Sequence, residues 1–230
     1  MKERGKFIVI DGTDGSGKKT QLDLLKVRLE EDEYQVEALD FPQYKETFFG
    51  RLVGRFLAGE FGGIKEVSPY LASLPYSGDR WQASPKIREL ISKGIILLSN
   101  RYKSSNDAHQ AAKLPPEMRE EFLQFSEELE YKVFGIPRED AVIFLHVPAE
   151  VGQMLVDEKG EREYVGGKKR DIHEADIEHL KEAEKMYLLL AQRNEHWIQI
   201  DCCDEEGSLL PREEIHELVY LALRERGTIK

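Results

Sequence analysis

Residues 7 to 20 run Phe7-Ile8-Val9-Ile10-Asp11, then Gly12-Thr13-Asp14-Gly15-Ser16-Gly17-Lys18-Lys19-Thr20. The apolar run predicts a buried strand, and Leu22, Leu25 and Leu29 fall on one face of the helix that should follow. Between them lies a glycine-rich turn that fits G-x-x-x-x-G-K-[ST] from Gly12 to Lys18. Each residue type in it meets a separate demand. Glycines let backbone N–H groups converge on phosphate oxygens, and the helix start adds the positive end of its dipole. Lys18 reaches the outer phosphates as a point charge. One position departs: Lys19 stands where Ser or Thr is expected, with Thr20 one step later. The metal-ligating hydroxyl is therefore displaced or absent unless Thr20 or a water takes over. A strand, such a turn and an amphipathic helix in this order predict a nucleotide-binding loop.

At 230 residues the chain is long enough for one large α/β domain or two small ones. A net charge of −11 argues against general affinity for nucleic acid or anionic membrane, so phosphate-binding cations must be local exceptions. The two cysteines are adjacent, Cys202-Cys203, which gives neither a disulfide framework nor a C-x-x-C metal spacing. A reduced, cytoplasmic setting is expected. Met1 to Lys6 is polar and shows no signal peptide, and no apolar run approaches the ~18 residues of a membrane span.

Strand-like and helix-like segments alternate, which favours a parallel sheet with helices on both faces. Further strands are expected at Tyr34 to Phe41, Ile95 to Ser99, Val142 to Val147 and Trp197 to Asp201, five in one domain over residues 1–230. Phe48, Leu52, Phe56 and Leu57 predict a helix. An irregular helical stretch runs from Pro69 to Arg80, and Ile87, Leu90 and Ile91 mark a separate one ended by Gly94. Pro115-Pro116 opens a helix with Met118, Phe122, Phe125, Leu129 and Val133 on one face. Residues 157 to 173 are charged, carry three glycines and show no apolar period, so they read as a mobile surface segment.

Chemistry-bearing groups collect at the expected strand tips, where open α/β sheets bind ligands. Phe41-Pro42-Gln43-Tyr44 either lines a substrate pocket or simply ends a strand. Tyr76 and Arg80 lie one helical turn apart, suited to a ring stacked on a base beside a cation, or to a core tyrosine beside an Asp79-Arg80 surface pair. Arg101, after Asn100, should sit beside the phosphate loop with a planar donor fork. Asn106 and His109 face the same way on the next helix. Arg162, Lys168, Lys169 and Arg170 concentrate positive charge in an acidic chain, as a closing lid over phosphates would, or as a solvated face.

In order along the chain, Asp11 to Thr20, Phe41 to Tyr44, Asp79-Arg80, Asn100-Arg101-Tyr102, Ser104-Ser105-Asn106, the basic segment and Trp197 to Asp201 resemble the thymidylate kinase family. Its members move the γ-phosphate of ATP onto dTMP. The resemblance implies a three-layer P-loop fold, Mg²⁺ with the ATP, a homodimer, and a short lid near 157–173. It implies that Gly12, Thr13, Gly15, Ser16, Gly17, Lys18, Lys19 and Thr20 bind ATP, with Thr20 a candidate metal ligand. Asp14 would contact the sugar hydroxyl or a metal-bound water. Tyr76 would stack on thymine, Arg80 and Asn106 would bond its edge, and Arg101 with Tyr44 would grip the dTMP phosphate. Phe41 and Leu57 would wall the pocket, and His109 would face the sugar. Because Gly15 and Ser16 stand where a loop arginine could, the catalytic arginine is expected from the lid: Arg170 first, then Arg162 and Lys169. Three positions depart from the family pattern: Asn100 for aspartate, His109 for a frequent tyrosine, and Leu155 for a common arginine. Two alternatives stay open, a kinase for another nucleoside monophosphate or nucleoside, and a nucleotide-binding module without turnover.

Overall fold

Phe7 to Gly12 form β1, the centre of a five-stranded parallel sheet in the order β2-β3-β1-β4-β5. The other strands are β2 (Val36–Asp40), β3 (Ile96–Asn100), β4 (Ala141–His146) and β5 (Trp197–Asp201). The computed structural model describes residues 4–64, 66–157 and 176–230. Arg162, Lys168, Lys169 and Arg170, expected on the lid, lie outside the described residues. Helices follow in the order α1 (Lys18–Glu31), α2 (Phe48–Leu57), α3 (Pro69–Ser92), α4 (Lys103–Ala111), α5 (Pro116–Glu127), α6 (Ala149–Asp157), α7 (Ile177–Arg193) and α8 (Arg212–Glu225).

The continuous apolar run of β1 is explained by cover on both sheet faces. Phe7 and Val9 pack with Ala108 and Ala111 of α4, Phe122 of α5 and Met186 and Tyr187 of α7. Ile8 and Ile10 pack with Leu22, Leu25 and Leu29 of α1 and Ile215, Val219 and Leu223 of α8. The helix after β1 and the helix after β3 thus leave on opposite faces. Their diverging loops open a crevice at the C-terminal strand ends, where such sheets bind ligands.

Three elements differ from expectation. The two helical stretches foreseen between Pro69 and Gly94 are one helix of 24 residues, with Pro75 and Pro85 inside it. Each proline removes a backbone donor. Burial of Ala72, Ala83, Ile87 and Ile91 holds the helix together nonetheless. Helix α5 does not continue regularly to Val133 but passes into a π-helical turn, Glu128–Val133. The wider turn shifts the inward face. Val133, expected in the apolar stripe, is 68% exposed, while Glu130 is 0% exposed. Helix α6 is not announced by apolar spacing. It packs against the phosphate loop so closely that a Cβ on Gly15 would lie 2.1 Å from Gly152 O. No helix among the described residues is long and apolar enough to cross a membrane.

Candidate active site

The loop after β1 is shaped by its glycines. Gly17 caps α1 at φ 80, a left-handed conformation that side chains resist. Thr13 Oγ1 donates to Val147 O at 3.1 Å, tying the loop to the end of β4. Lys18 is buried and lies back over the loop, donating to Gly12 O at 3.1 Å and Thr13 O at 2.7 Å, with Ser16 Oγ at 3.5 Å. Lys19 points outward to Asp23. Thr20 is exposed on α1 and does not line the cavity described below.

The tip of β3 supplies the second part. Arg101 adopts φ 66, a conformation unusual for a non-glycine residue and characteristic of functional turns. Its guanidinium pairs with Asp14 and donates to Ser105 Oγ at 3.0 Å. Burial alone would lower the pKa of Arg101, but Asp14 and Asp11 outweigh it and hold the group charged. Beneath it Asp11, fully buried, accepts from Gly12 N and Tyr187 OH, both at 2.8 Å, and from Ser104 and Ser105. One carboxylate thereby joins β1, α4 and α7 under the arginine. Tyr102 is structural: its ring packs edge-on to Phe7 and Phe41, and its hydroxyl donates to Pro137 O at 3.0 Å.

Helix α3 supplies the third part. Tyr76 meets Phe56 edge-on at 6.3 Å, beside the buried cluster of Val53, Phe56, Leu57 and Ala72. Asp79 and Arg80 are both buried, not a surface pair. Asp79 accepts from Gln43 N at 2.8 Å and from Thr47 Oγ1, which fixes the loop between β2 and α2 carrying Tyr44. Burial raises the Asp79 pKa against these hydrogen bonds. Arg80 is paired with Glu130 from the π-helical turn.

These parts share one cavity of about 330 Å³. Asp14, Gly15, Gly17, Lys18 and Lys19 line it at the loop end. Phe41, Tyr44, Leu57, Tyr76, Arg80, Arg101, Asn106 and His109 line the remainder. Gly12, Thr13 and Ser16 shape the loop from behind without lining the cavity. A wider cleft of about 850 Å³ adjoins it and shares Lys19, Asp40, Tyr44 and Asn100, but lacks Lys18, Arg80 and Arg101. The smaller one alone of the two combines the loop lysine with Arg80 and Arg101.

Two amides are poised for a ligand. Among the described residues, Asn106 Nδ2 and Oδ1 are both buried without a hydrogen-bond partner, as is Gln110 Oε1 one turn on, and both residues line the cavity. Such orphaned groups are costly unless something binds them. His109 Nδ1 lies 3.3 Å from His179 Nε2. Burial lowers the His109 pKa well below its usual value, so the imidazole is neutral.

Oxygen donors for a divalent cation are sparse. Among the described residues no group of three or more His, Cys, Asp or Glu converges to hold an ion. Among the described residues Asn100 Oδ1 is buried without a partner, beside Asp40, whose Oδ1 accepts from Asn100 Nδ2 at 2.7 Å. Asp14, Asp40 and Asn100 line the same cavity, and Mg²⁺ asks for few protein oxygens, since it keeps several waters and takes other ligands from phosphates.

Apolar spacing and motif reading missed Asp11, Glu130, Gln110 and His179. Asp11 reads as the end of a strand, and Glu130 falls off the inward face until the π-helical turn is known. Gln110 was legible, since Asn106 and Gln110 are four apart on one helix.

Comparison with known proteins agrees with this geometry. A model of the thymidylate kinase family matches residues 10–209. Thymidylate kinase of Plasmodium falciparum is 30% identical over 200 residues, 87% of this chain and 83% of that protein. The enzyme of that name from Mycobacterium tuberculosis is 26% identical over 88% of this chain and 94% of its own length. In structure, thymidylate kinase from Candida albicans superimposes with a TM-score of 0.74 at 21% identity, covering 97% of this chain and 93% of that one, which shows the shared fold. On the family match and the Plasmodium relative, set beside the loop, strand tips and cavity described above, the chain belongs to the thymidylate kinase family.

Proposed function

We infer that the chain phosphorylates dTMP to dTDP with ATP and Mg²⁺, in one kinase domain spanning residues 1–230. The observation that carries this reading is one cavity lined by Lys18 of the phosphate loop together with Tyr76, Arg80 and Arg101. The loop from Gly12 to Thr20 wraps the donor phosphates, and Lys18 exchanges its contacts with Gly12 O and Thr13 O for phosphate oxygens. Arg101 holds the acceptor phosphate with Tyr44, and Asp14 orients Arg101 and meets the sugar hydroxyl or a bound water. Tyr76 stacks on thymine, Arg80 donates to its carbonyl edge, and the Asn106 amide and Gln110 Oε1 complete that edge. Phe41 and Leu57 form the apolar wall, and neutral His109 faces the sugar.

Mg²⁺ would be held by Asp14 and the Asp40–Asn100 pair, with Thr20, which does not line the cavity, as a further candidate. When bound, it neutralises charge on the donor phosphates. Phosphoryl transfer depends on positioning and charge stabilisation, so the remaining positive charge is assigned to the lid, to Arg170 before Arg162 and Lys169. A homodimer is supported by Leu71, Leu74 and Trp81 on α3, which are 64%, 40% and 49% exposed. The acidic net charge of −11 supports a chain without nucleic-acid or membrane partners, and the reduced cysteines suit the cytoplasm.

Coupled ADP release with dTMP, dUMP, dCMP and UMP tests the reading. Turnover should be highest with dTMP; a different preferred acceptor, or binding without product, would displace it. In the same assay Tyr76→Ala should raise KM for dTMP by about 5- to 150-fold, the equivalent of ~1–3 kcal/mol of base stacking. KM for ATP should change little. Equal effects on both substrates would remove Tyr76 from the acceptor pocket.

A further inference from the structure

Arg80 has five N–H donors and no acceptor. Three of the five are already committed. Nε donates to Glu130 Oε2 at 2.8 Å, Nη2 donates to Glu130 Oε1, and Nη1 donates to Tyr102 O at 3.3 Å. Glu130 Oε1 also accepts from Ser77 Oγ at 2.9 Å, from the same helix one turn earlier. The pair is almost wholly enclosed, with side chains 3% and 0% exposed, yet Arg80 lines the cavity. Among the described residues two N–H groups, one on each Nη, have no acceptor.

Glu130 follows buried Ser126 by four residues and sits within a local irregularity. Apolar spacing would point Val133 inward; within the π-helical turn at Glu128–Val133 it is Glu130 that is buried. Such turns cluster at functional sites. A planar, two-pronged grip on guanidinium fixes its rotation as well as its position.

We propose that Glu130 is the positioning residue for acceptor-base recognition, holding the Arg80 guanidinium so that its two uncommitted N–H groups meet a pyrimidine carbonyl. The assignment rests on the reading above that Arg80 faces the base. It also names a source of selectivity. A fixed face made only of donors accepts the carbonyl at position 4 of thymine and rejects the amino group that cytosine presents there. Through Nη1 and Tyr102 O the same guanidinium braces the turn that carries Arg101, so base grip and phosphate grip share one support.

The test uses Glu130→Asp, which keeps the charge that Arg80 needs in a buried site but retracts the carboxylate by one methylene. Glu130→Gln and Arg80→Met are measured beside it, with thermal unfolding as the check that each variant is folded. Glu130→Asp should raise KM for dTMP about tenfold, leave KM for ATP within about twofold, and lower the kcat/KM preference for dTMP over dCMP about tenfold. Glu130→Gln should move the same quantities in the same direction. Glu130→Asp combined with Arg80→Met should have the dTMP KM of Arg80→Met alone, because the two residues act as one unit. If Glu130→Asp raised both KM values equally, or left the dTMP over dCMP preference intact while Arg80→Met abolished it, Glu130 would be a structural counter-charge and the proposal would fall. If Arg80→Met itself left the dTMP KM unchanged, the reading of Arg80 would fail first and the proposal with it.

Discussion

Lys18→Ala should lower kcat by about 10³-fold, with the fold retained. Lys18 is a buried cation folded over its own loop, held by Gly12 O and Thr13 O at 3.1 and 2.7 Å. Those contacts hold the ammonium at the loop, beside the cavity that Lys18 lines, ready to be exchanged for phosphate oxygens. In phosphoryl transfer most of the catalytic effect is electrostatic. Removing one preorganised donor costs about 10²–10³, and a cation aimed at the transferred group more. The two carbonyls and the Ser16 hydroxyl left behind can turn to water, so unfolding should shift only slightly. Coupled ADP release at saturating ATP and dTMP measures the first part and thermal unfolding the second. Unchanged turnover would remove Lys18 from the chemistry.

Asp11→Ala should lower the unfolding midpoint by roughly 10 °C and abolish activity. Asp11 has no solvent exposure and accepts from Gly12 N, Tyr187 OH, Ser104 and Ser105, with Arg101 Nη1 at 3.8 Å. Without the carboxylate these donors face a cavity. Each buried donor left unpaired costs about 1–3 kcal/mol, and some re-pair with one another, so about 4 kcal/mol is a reasonable net loss. For a chain of this size that corresponds to about 8–16 °C. Activity falls because Arg101 loses the support that holds its left-handed turn. A midpoint shift below about 3 °C would show that the four donors do not depend on Asp11.

Much of this was legible from residue order. The phosphate loop and its flanking strand and helix follow from Gly12, Gly15, Gly17 and Lys18, because backbone geometry there admits few other residues. Helical spacing grouped Tyr76 with Arg80 and Asn106 with His109, the strand-tip rule pointed to Arg101, and the family resemblance gave them site roles; all five line one cavity. What could not be read depends on long-range packing. Pro75 and Pro85 signal breaks locally, yet α3 runs through both because its buried face outweighs two missing donors. Glu130 belongs to a stretch whose apolar period points Val133 inward, and within the π-helical turn the two are reversed. Asp11 looks like the polar end of a strand. Its role emerges when α4 and α7, about 90 and 175 residues away, bring Ser104, Ser105 and Tyr187 to it.

The central claim is that the loop beginning at Gly12 and the side chains of Tyr76, Arg80 and Arg101 address two ligands on either side of one transferred group. A crystal structure with dTMP and a non-hydrolysable ATP analogue tests it most directly. The account predicts thymine against Tyr76 with a carbonyl on Arg80, its phosphate on Arg101, and the terminal phosphate of the analogue on Lys18. A pyrimidine bound elsewhere, for instance in the wider cleft lined by Arg51 and Lys86, would contradict it.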